Sequence, residues 1–127
     1  MSPEQLLEAV DRLPTVKLAE LPTPLHDCPR LAAALGVRRL FVKRDDLTGL
    51  AFGGNKARKF CFTFADALAR GADCIITGSA SQSNHARQAA AACARLGLKC
   101  YLVNRWDHRA QMGFQGNLLL DYVLGAE

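Results

Sequence analysis

The sequence of 127 residues lacks the features that mark membrane-spanning, secreted and zinc-binding proteins. No apolar run approaches the roughly 18–20 residues that a membrane span requires, and the first residues, MSPEQLLEAVDRL, lack the basic and apolar regions of a signal peptide. The five cysteines are dispersed and form no Cys-x-x-Cys pair, so we interpret them as reduced, mostly buried side chains. These absences predict a globular cytoplasmic protein without a metal site or a membrane partner.

The patterns of nucleic-acid and nucleotide binding are missing as well. The formal net charge of +4 is spread along the chain, and no basic run is interleaved with aromatic residues. The dinucleotide fingerprint Gly-x-Gly-x-x-Gly does not occur. Gly49 and Gly54 have the spacing of a phosphate loop, but Lys56 comes one position too late and no hydroxyl residue follows it. We therefore expect neither nucleic-acid binding nor nucleotide hydrolysis.

What is present is an alternation of helix and strand patterns. A capping box at Ser2 begins a short amphipathic helix, and the prolines of LPTPL, residues 21 to 25, require extended backbone. Hydrophobic periodicity predicts helices over 29–35, 55–70, 84–96 and about 112–124, and strands over 39–43, 73–78 and 99–104. The last two strands and the helix between them form a βαβ unit, which favours a right-handed parallel crossover. The sequence thus predicts an α/β fold with a small parallel sheet of three strands.

Two loops that begin helices carry the candidate site residues. GGNKARK, residues 53 to 59, contains Lys56 at a helix start, where a positive charge opposes the helix dipole, an arrangement that suits an imine-forming amine. Its two glycines permit unusual backbone angles and close approach to a ligand. SASQSNHAR, residues 79 to 87, offers small polar side chains and amides at a helix N-terminus, which favours a carboxylate or phosphate. The alternatives are solvated lysines and an ordinary Ser/Asn cap.

Four segments resemble, in order and spacing, the D-cysteine desulfhydrase and 1-aminocyclopropane-1-carboxylate deaminase family: LPTPL, VKRDDLTGLAFGGNKARK, QSNHARQAAAACARLGLKC and GNLLLDYVLGAE. The resemblance implies a tryptophan-synthase-β-like fold (fold type II), pyridoxal 5'-phosphate as cofactor and a small amino-acid substrate. It implies a lyase that converts D-cysteine to pyruvate, sulfide and ammonia. The alternative is the deaminase, which forms 2-oxobutanoate and ammonia. His85 favours the desulfhydrase, because the deaminases commonly carry glutamine at that position.

The same resemblance implies a role for each site residue. Lys56 would carry the cofactor through an imine and move protons during the reaction, and Lys59 would approach the cofactor phosphate. Asn84 would hydrogen-bond the ring hydroxyl oxygen of the cofactor. Ser83, Asn84 and the backbone at His85 would hold the substrate carboxylate, and Ser83 is also a candidate for direct participation in catalysis.

Members of this family are much longer than this chain, which is therefore expected to be an N-terminal part that ends where a further strand would begin. Residues 1–52 would belong to the large cofactor domain and 53–127 to an incomplete small α/β domain. The glycine-rich phosphate loop and the substrate-facing tyrosines are expected in the missing part, because Tyr101 and Tyr122 do not match them. We expect weak cofactor retention. Full-length members are expected to be homodimers, and this chain is either complemented by a separate C-terminal chain or a non-catalytic remnant.

Overall fold

The computed structural model describes residues 1–105 and 113–127. The helices and strands are, in chain order, α1 (Pro3–Asp11), β1 (Leu25–Asp27), α2 (Pro29–Ala34), β2 (Phe41–Lys43), α3 (Lys56–Ala69), β3 (Cys74–Ala80), α4 (Asn84–Leu96), β4 (Lys99–Arg105) and α5 (Gly116–Val123), with a 3-10 turn at Asp45–Leu47. Within the described ranges, none of the helices has the length and apolar character needed to cross a membrane.

The predicted βαβ unit is confirmed. β3 and β4 run parallel over their whole length, from Cys74 opposite Lys99 to Ala80 opposite Arg105. α4 connects the two strands and packs on both of them. Its buried face consists mainly of alanines, which let the helix approach the sheet closely. Gly97 ends α4 in the left-handed conformation, with φ of 72°, where a glycine avoids the strain of other residues.

The predicted three-stranded parallel sheet is wrong for the described part of the chain. β2 lies inside the predicted strand 39–43, but it pairs antiparallel with β1, which was not predicted. Both strands are three residues long and exposed throughout. Strands this short and exposed have no alternating pattern of buried residues, and two prolines precede β1 directly, so periodicity had little to detect. β1 and β2 thus form a separate two-stranded sheet.

The hydrophobic core lies between α3 and the βαβ unit. α3 buries Ala57, Phe60, Cys61 and Phe64, and the Phe60 and Phe64 rings meet edge to face with centroids 5.3 Å apart. Leu18 and Leu50 from the N-terminal segment complete the same cluster. Burial of these side chains contributes roughly 25 cal/mol per Å² of apolar surface. The packing brings the N-terminal ends of α3 and α4, and the loops before them, into contact.

The predicted helix boundaries agree with the structure except at the last helix. The predicted helices 55–70 and 84–96 correspond to α3 and α4, and α2 is followed by Gly36 in the left-handed region, with φ of 66°. The last helix was expected from about residue 112, which lies outside the described residues, and α5 begins at Gly116. Gly113 has φ of 77°, so the backbone just before α5 is not helical.

Candidate functional site

A tight loop positions Lys56, which is the first residue of α3. Gly53 and Gly54 have φ of 75° and 134°, in the region that favours glycine. A Cβ atom at Gly53 would collide with the backbone carbonyl of Asp46, and one at Gly54 would collide with the side-chain amide of Gln88. The expected need for unusual backbone angles is confirmed. The groups that come close to these two glycines are the Asp46 carbonyl and the Gln88 side chain, whereas the sequence predicted a ligand there.

The same loop closes around Thr48, a residue that the sequence did not single out. Its side chain is completely buried, and Thr48 Oγ1 accepts a hydrogen bond from the Gly54 N–H at 2.9 Å. The Gly54 N–H also reaches the Asp45 carbonyl oxygen at 2.7 Å. Ala51 and Phe52 hold positive φ angles of 43° and 66°, which are uncommon for residues with a side chain. The loop before Lys56 is therefore compact and strained.

Gln88 from α4 supplies the N-terminal cap that α3 lacks. Asn55 makes no capping bond, because its Oδ1 accepts from Lys56 Nζ at 3.1 Å instead. Gln88 is fully buried, and its Oε1 accepts from the Ala57 N–H at 2.8 Å while its Nε2 donates to the Gly53 carbonyl at 3.0 Å. One side chain thus joins the first turn of α3, the lysine loop and α4.

Ser83 and Asn84 lie at the start of α4, as the sequence predicted. Ser83 is the N-cap, and its Oγ accepts from the His85 N–H at 3.1 Å. Ser83 therefore does act as an ordinary helix cap, which was the alternative to a binding role. Because Ser83 Oγ accepts in this bond, its hydroxyl proton can still be donated to another group. Asn84 is exposed, and its Oδ1 accepts from Asn117 Nδ2 of α5 at 3.0 Å.

His85 lies in the contact between α3, β3 and α4. Its Nε2 is 2.8 Å from Thr77 Oγ1, and its ring centroid is 5.1 Å from that of Phe60. Partial burial lowers the pKa of His85, and the positive charges of Lys59 and Lys56 lower this pKa further. Both effects favour the neutral imidazole, and both lysines lie close enough to act on it electrostatically.

Lys56 and Lys59 form a positive region in which the described part of the chain places no paired carboxylate. Lys59 Nζ lies 5.2 Å from the centroid of the Phe60 ring. Within residues 1–105 and 113–127, neither lysine forms an ion pair. A cleft of about 230 Å³ opens beside Lys59 and is also lined by Thr77 and His85. Two unpaired cations at the start of a helix favour an anionic ligand.

The two predicted loops are tied together at the Gly53 carbonyl. Arg87 Nη2 donates to this oxygen at 2.9 Å, beside the bond from Gln88, and Arg87 Nη1 donates to Asn117 Oδ1 at 2.8 Å. Sequence reasoning gave no role to Arg87, Gln88 or Asn117, although all three lie in the segments QSNHARQAAAACARLGLKC and GNLLLDYVLGAE that carry the family resemblance. Their contacts span about thirty residues of sequence, and no local pattern records such distances.

Residues 16–127 match the family model of the pyridoxal-phosphate dependent enzymes, so the chain belongs to that family. The cofactor of the family is pyridoxal phosphate, and the side chains described above fit it. An unpaired lysine amine at the glycine loop suits the cofactor aldehyde, and a second lysine one helical turn away suits its phosphate.

Among curated proteins, the chain is 55% identical over 94 residues to D-cysteine desulfhydrase of Klebsiella pneumoniae. It is 53% identical over 94 residues to the enzyme of the same name from Salmonella newport. Each match covers 74% of this chain and 28% of the relative, so the matched part spans less than a third of the length of these enzymes.

A crystal structure described as that of an ACC deaminase homologue superposes with a TM-score of 0.86 at 39% sequence identity. The match covers 100% of this chain and 37% of that chain. The predicted fold class, a part of a fold type II pyridoxal-phosphate enzyme, is therefore confirmed.

Proposed function

We propose that this chain is the lysine-bearing part of a D-cysteine desulfhydrase, which converts D-cysteine to pyruvate, sulfide and ammonia. The observation that carries the proposal is the placement of Lys56 and Lys59, neither of them in an ion pair within the described residues, beside His85 at the joined ends of α3 and α4. The desulfhydrase name of relatives at 53–55% identity supports this substrate over others.

Pyridoxal phosphate, when bound, supplies an electron sink that stabilises negative charge at the substrate Cα. Lys56 would hold the cofactor covalently through Nζ and would take up the Cα proton once the substrate amine has displaced it. Lys59 Nζ would pair with the phosphate. Asn84 would donate a hydrogen bond to the ring hydroxyl oxygen. These roles agree with the positions of the side chains at the starts of α3 and α4.

The substrate carboxylate would bind at the start of α4. The Ser83 hydroxyl, Asn84 and the backbone at His85 lie at this helix end, where backbone N–H groups and the helix dipole favour an anion. A direct part of Ser83 in the chemistry is the second role that we propose for it. Its capping bond to His85 fixes the oxygen close to the first turn of the helix.

The alternative function is that of a 1-aminocyclopropane-1-carboxylate deaminase, which would open the ring to give 2-oxobutanoate and ammonia. The structural neighbour described as an ACC deaminase homologue favours it as a second candidate. Both reactions use the same cofactor, so the fold does not separate them. The substrate assay described below does.

We also propose that residues 1–52 belong to the large cofactor domain and that 53–127 form an incomplete small α/β domain. β1 and β2 lie in the first range and the parallel pair in the second, which supports the division. Because the match covers only 28% of the curated relative, activity would need the remaining part, either in a homodimer of the whole protein or from a complementing chain. Without it, the chain would be a non-catalytic remnant.

Five free cysteines support a cytoplasmic location.

Cofactor binding is tested with the purified chain and pyridoxal phosphate. We expect a visible absorption band of the lysine-bound cofactor in the wild type and its loss in Lys56→Ala. Lys17→Ala is the matched control, because Lys17 is an exposed lysine paired with Glu20 and should leave the band unchanged. Reduction with borohydride and peptide mapping should place the label on Lys56. Identical spectra for the wild type and Lys56→Ala would refute the proposed role.

The substrate is tested by adding D-cysteine or 1-aminocyclopropane-1-carboxylate to the cofactor-loaded chain, both alone and together with the remaining part of the protein. Sulfide and pyruvate from D-cysteine would support the desulfhydrase, and 2-oxobutanoate from the cyclopropane substrate would support the deaminase. A chain that binds the cofactor but gives only background with both substrates would be the non-catalytic remnant.

A further inference from the structure

The orientation of the Asn117 side-chain amide is fixed by partners that each have a single hydrogen-bonding role. Asn117 Nδ2 lies 2.9 Å from the backbone carbonyl oxygen of Gln82, which can only accept. Asn117 Oδ1 lies 2.8 Å from Arg87 Nη1, which can only donate. An amide turned the other way would face oxygen with oxygen and N–H with N–H. Nδ2 and Oδ1 of Asn117 are therefore assigned without ambiguity.

This assignment determines the orientation of Asn84. Asn117 Nδ2 also lies 3.0 Å from the Asn84 side-chain amide, and a donor at that position requires an acceptor opposite it. Asn84 must therefore turn Oδ1 towards Asn117. Its Nδ2, with two N–H donors, then points away from α5 on an exposed side chain.

We propose that Asn117 and Arg87 are positioning residues that hold the Asn84 amide with its N–H donors presented to the ring hydroxyl oxygen of pyridoxal phosphate. The inference rests on the proposed role of Asn84 in cofactor binding. Because that ring oxygen is an acceptor, Asn84 is useful only in this one of its two orientations. α5 thus contributes to the site through Asn84, without a side chain of its own on the cofactor.

Arg87 extends the same arrangement to the lysine loop. Its Nη1 fixes Asn117, and its Nη2 donates to the carbonyl oxygen of Gly53 at 2.9 Å, three residues before Lys56. One guanidinium therefore sets both the loop that presents the lysine and the amide that faces the cofactor ring. Its planar array of donors makes two such bonds at a fixed separation, which a lysine cannot do.

The competing interpretation is that Asn117 serves only the start of α5. The Asn117 N–H donates to Gln82 Oε1 at 2.8 Å, and Gln82 Nε2 donates to the Gln115 carbonyl at 3.0 Å, so this end of the helix is stabilised by Gln82. A substitution that merely loosens α5 would weaken the site through general instability. The test must separate the two effects.

Asn117→Asp makes the separation possible, because aspartate has nearly the same shape but cannot donate. Asn84 should then rotate to donate its own N–H to the carboxylate, which turns Oδ1 towards the cofactor. We expect the Kd of the chain for pyridoxal phosphate to rise about tenfold, the effect of one lost hydrogen bond to a charged group. Leu120→Ala on the same helix is the control and should lower the Tm with little change in Kd.

The decisive comparison is the double variant. Asn84→Ala alone should also raise the Kd about tenfold, and adding Asn117→Asp to it should have little further effect if Asn117 acts through Asn84. If the Kd of the double variant for pyridoxal phosphate rises by the product of the two single increases, Asn117 acts independently of Asn84 and the proposal is overturned.

A measurement without cofactor keeps this test separate from the proposed function. In the NMR spectrum of the ¹⁵N-labelled chain, the Asn84 side-chain N–H signals should move downfield in Asn117→Asp, because they gain a carboxylate acceptor. If these signals stay unchanged, Asn117 does not set the orientation of Asn84. If they move but the wild type binds no pyridoxal phosphate, the positioning holds and the cofactor role of Asn84 in this chain fails.

Discussion

Two of the arginine–aspartate neighbours in the protein, Arg58 with Asp45 and Arg87 with Asp121, differ in almost every physical respect. Arg58 and Asp45 form a bidentate ion pair, with Nε and Nη2 of the guanidinium 2.8 Å and 2.7 Å from the two carboxylate oxygens. Thr23 adds its hydroxyl to the same carboxylate at 2.9 Å. These hydrogen bonds, first those from Arg58, lower the pKa of Asp45 to about 2. This pair connects the turn after β2 to α3.

Arg87 and Asp121 make no such pair. Asp121 is only 3% exposed, yet neither carboxylate oxygen has a hydrogen-bond partner in the described part of the chain, and Arg87 Nε is unpartnered too. Burial raises the pKa of Asp121 to about 6, and the charge of Arg87 offsets only part of this rise. Arg87 directs its terminal nitrogens to Asn117 and Gly53 instead. A nearby arginine therefore lowers the pKa of an aspartate strongly only when its N–H groups donate hydrogen bonds to the carboxylate, as Arg58 does to Asp45.

The largest expected effect comes from breaking the well-formed pair. Arg58→Ala should lower the free energy of unfolding severalfold more than the loss of an exposed pair does, because it leaves the half-buried Asp45 carboxylate without its main partner. Urea unfolding at pH 7 measures the change. Arg70→Ala is the control, because its pair with Asp66 is exposed and should contribute less than about 1 kcal/mol. Equal losses in both variants would contradict the distinction between the pairs.

Asp121→Asn should stabilise the protein above pH 6. With a folded-state pKa of about 6, against 3.8 ordinarily, the folded state binds more protons than the unfolded state between these values. Stability should therefore fall as pH rises from about 4 to 6 and then level off. The neutral amide avoids this loss, so the free energy of unfolding of Asp121→Asn should exceed that of the wild type by roughly 2–3 kcal/mol at pH 7.5. Urea unfolding at pH 4.5 and 7.5 checks this, and equal pH profiles for the two proteins would be the contrary result.

The sequence predicted those elements whose signal is local. The alanine-rich pattern before Gly97 and the apolar runs of β3 and β4 each record burial along a few consecutive turns or residues, so the βαβ unit was correct. The pairing of β1 with β2 depends on bringing together two short exposed segments, and nothing in either segment encodes its partner. The number of strands in the parallel sheet was wrong for this reason.

In the candidate site, too, the features with a local sequence signal were predicted and those that depend on distant segments were not. The positions of Lys56 and Ser83 at helix starts follow from local patterns and are confirmed. The packing that fixes them, through Gln88, Arg87 and Asn117, depends on contacts between distant segments and was not predicted. The binding and catalytic roles of Lys56, Lys59, Ser83, Asn84 and His85, which the family resemblance implies, stay predictions.

The smallest effect concerns the hydroxyl that completes the Asp45 pair. Thr23→Val keeps the shape of a buried side chain but removes the donor to Asp45 and the acceptor for Arg58 Nη2, which lies 2.8 Å away. We expect a loss of about 1 kcal/mol at pH 7, the usual contribution of one hydrogen bond. Thr63→Val, at an exposed threonine of α3, should change the stability little.

The pH dependence tests the same hydroxyl more specifically. The low pKa of Asp45 contributes stability that is present above about pH 4 and lost as pH falls towards 2. Because the Thr23 hydroxyl lowers the pKa of Asp45, Thr23→Val should raise this pKa. The difference between the pKa of Asp45 in the folded state and its pKa in the unfolded state then becomes smaller. The acid-dependent part of the stability should then be smaller than in the wild type. An unchanged loss between pH 4 and 2 would mean that Arg58 alone sets the pKa of Asp45 and that the hydroxyl contributes only packing.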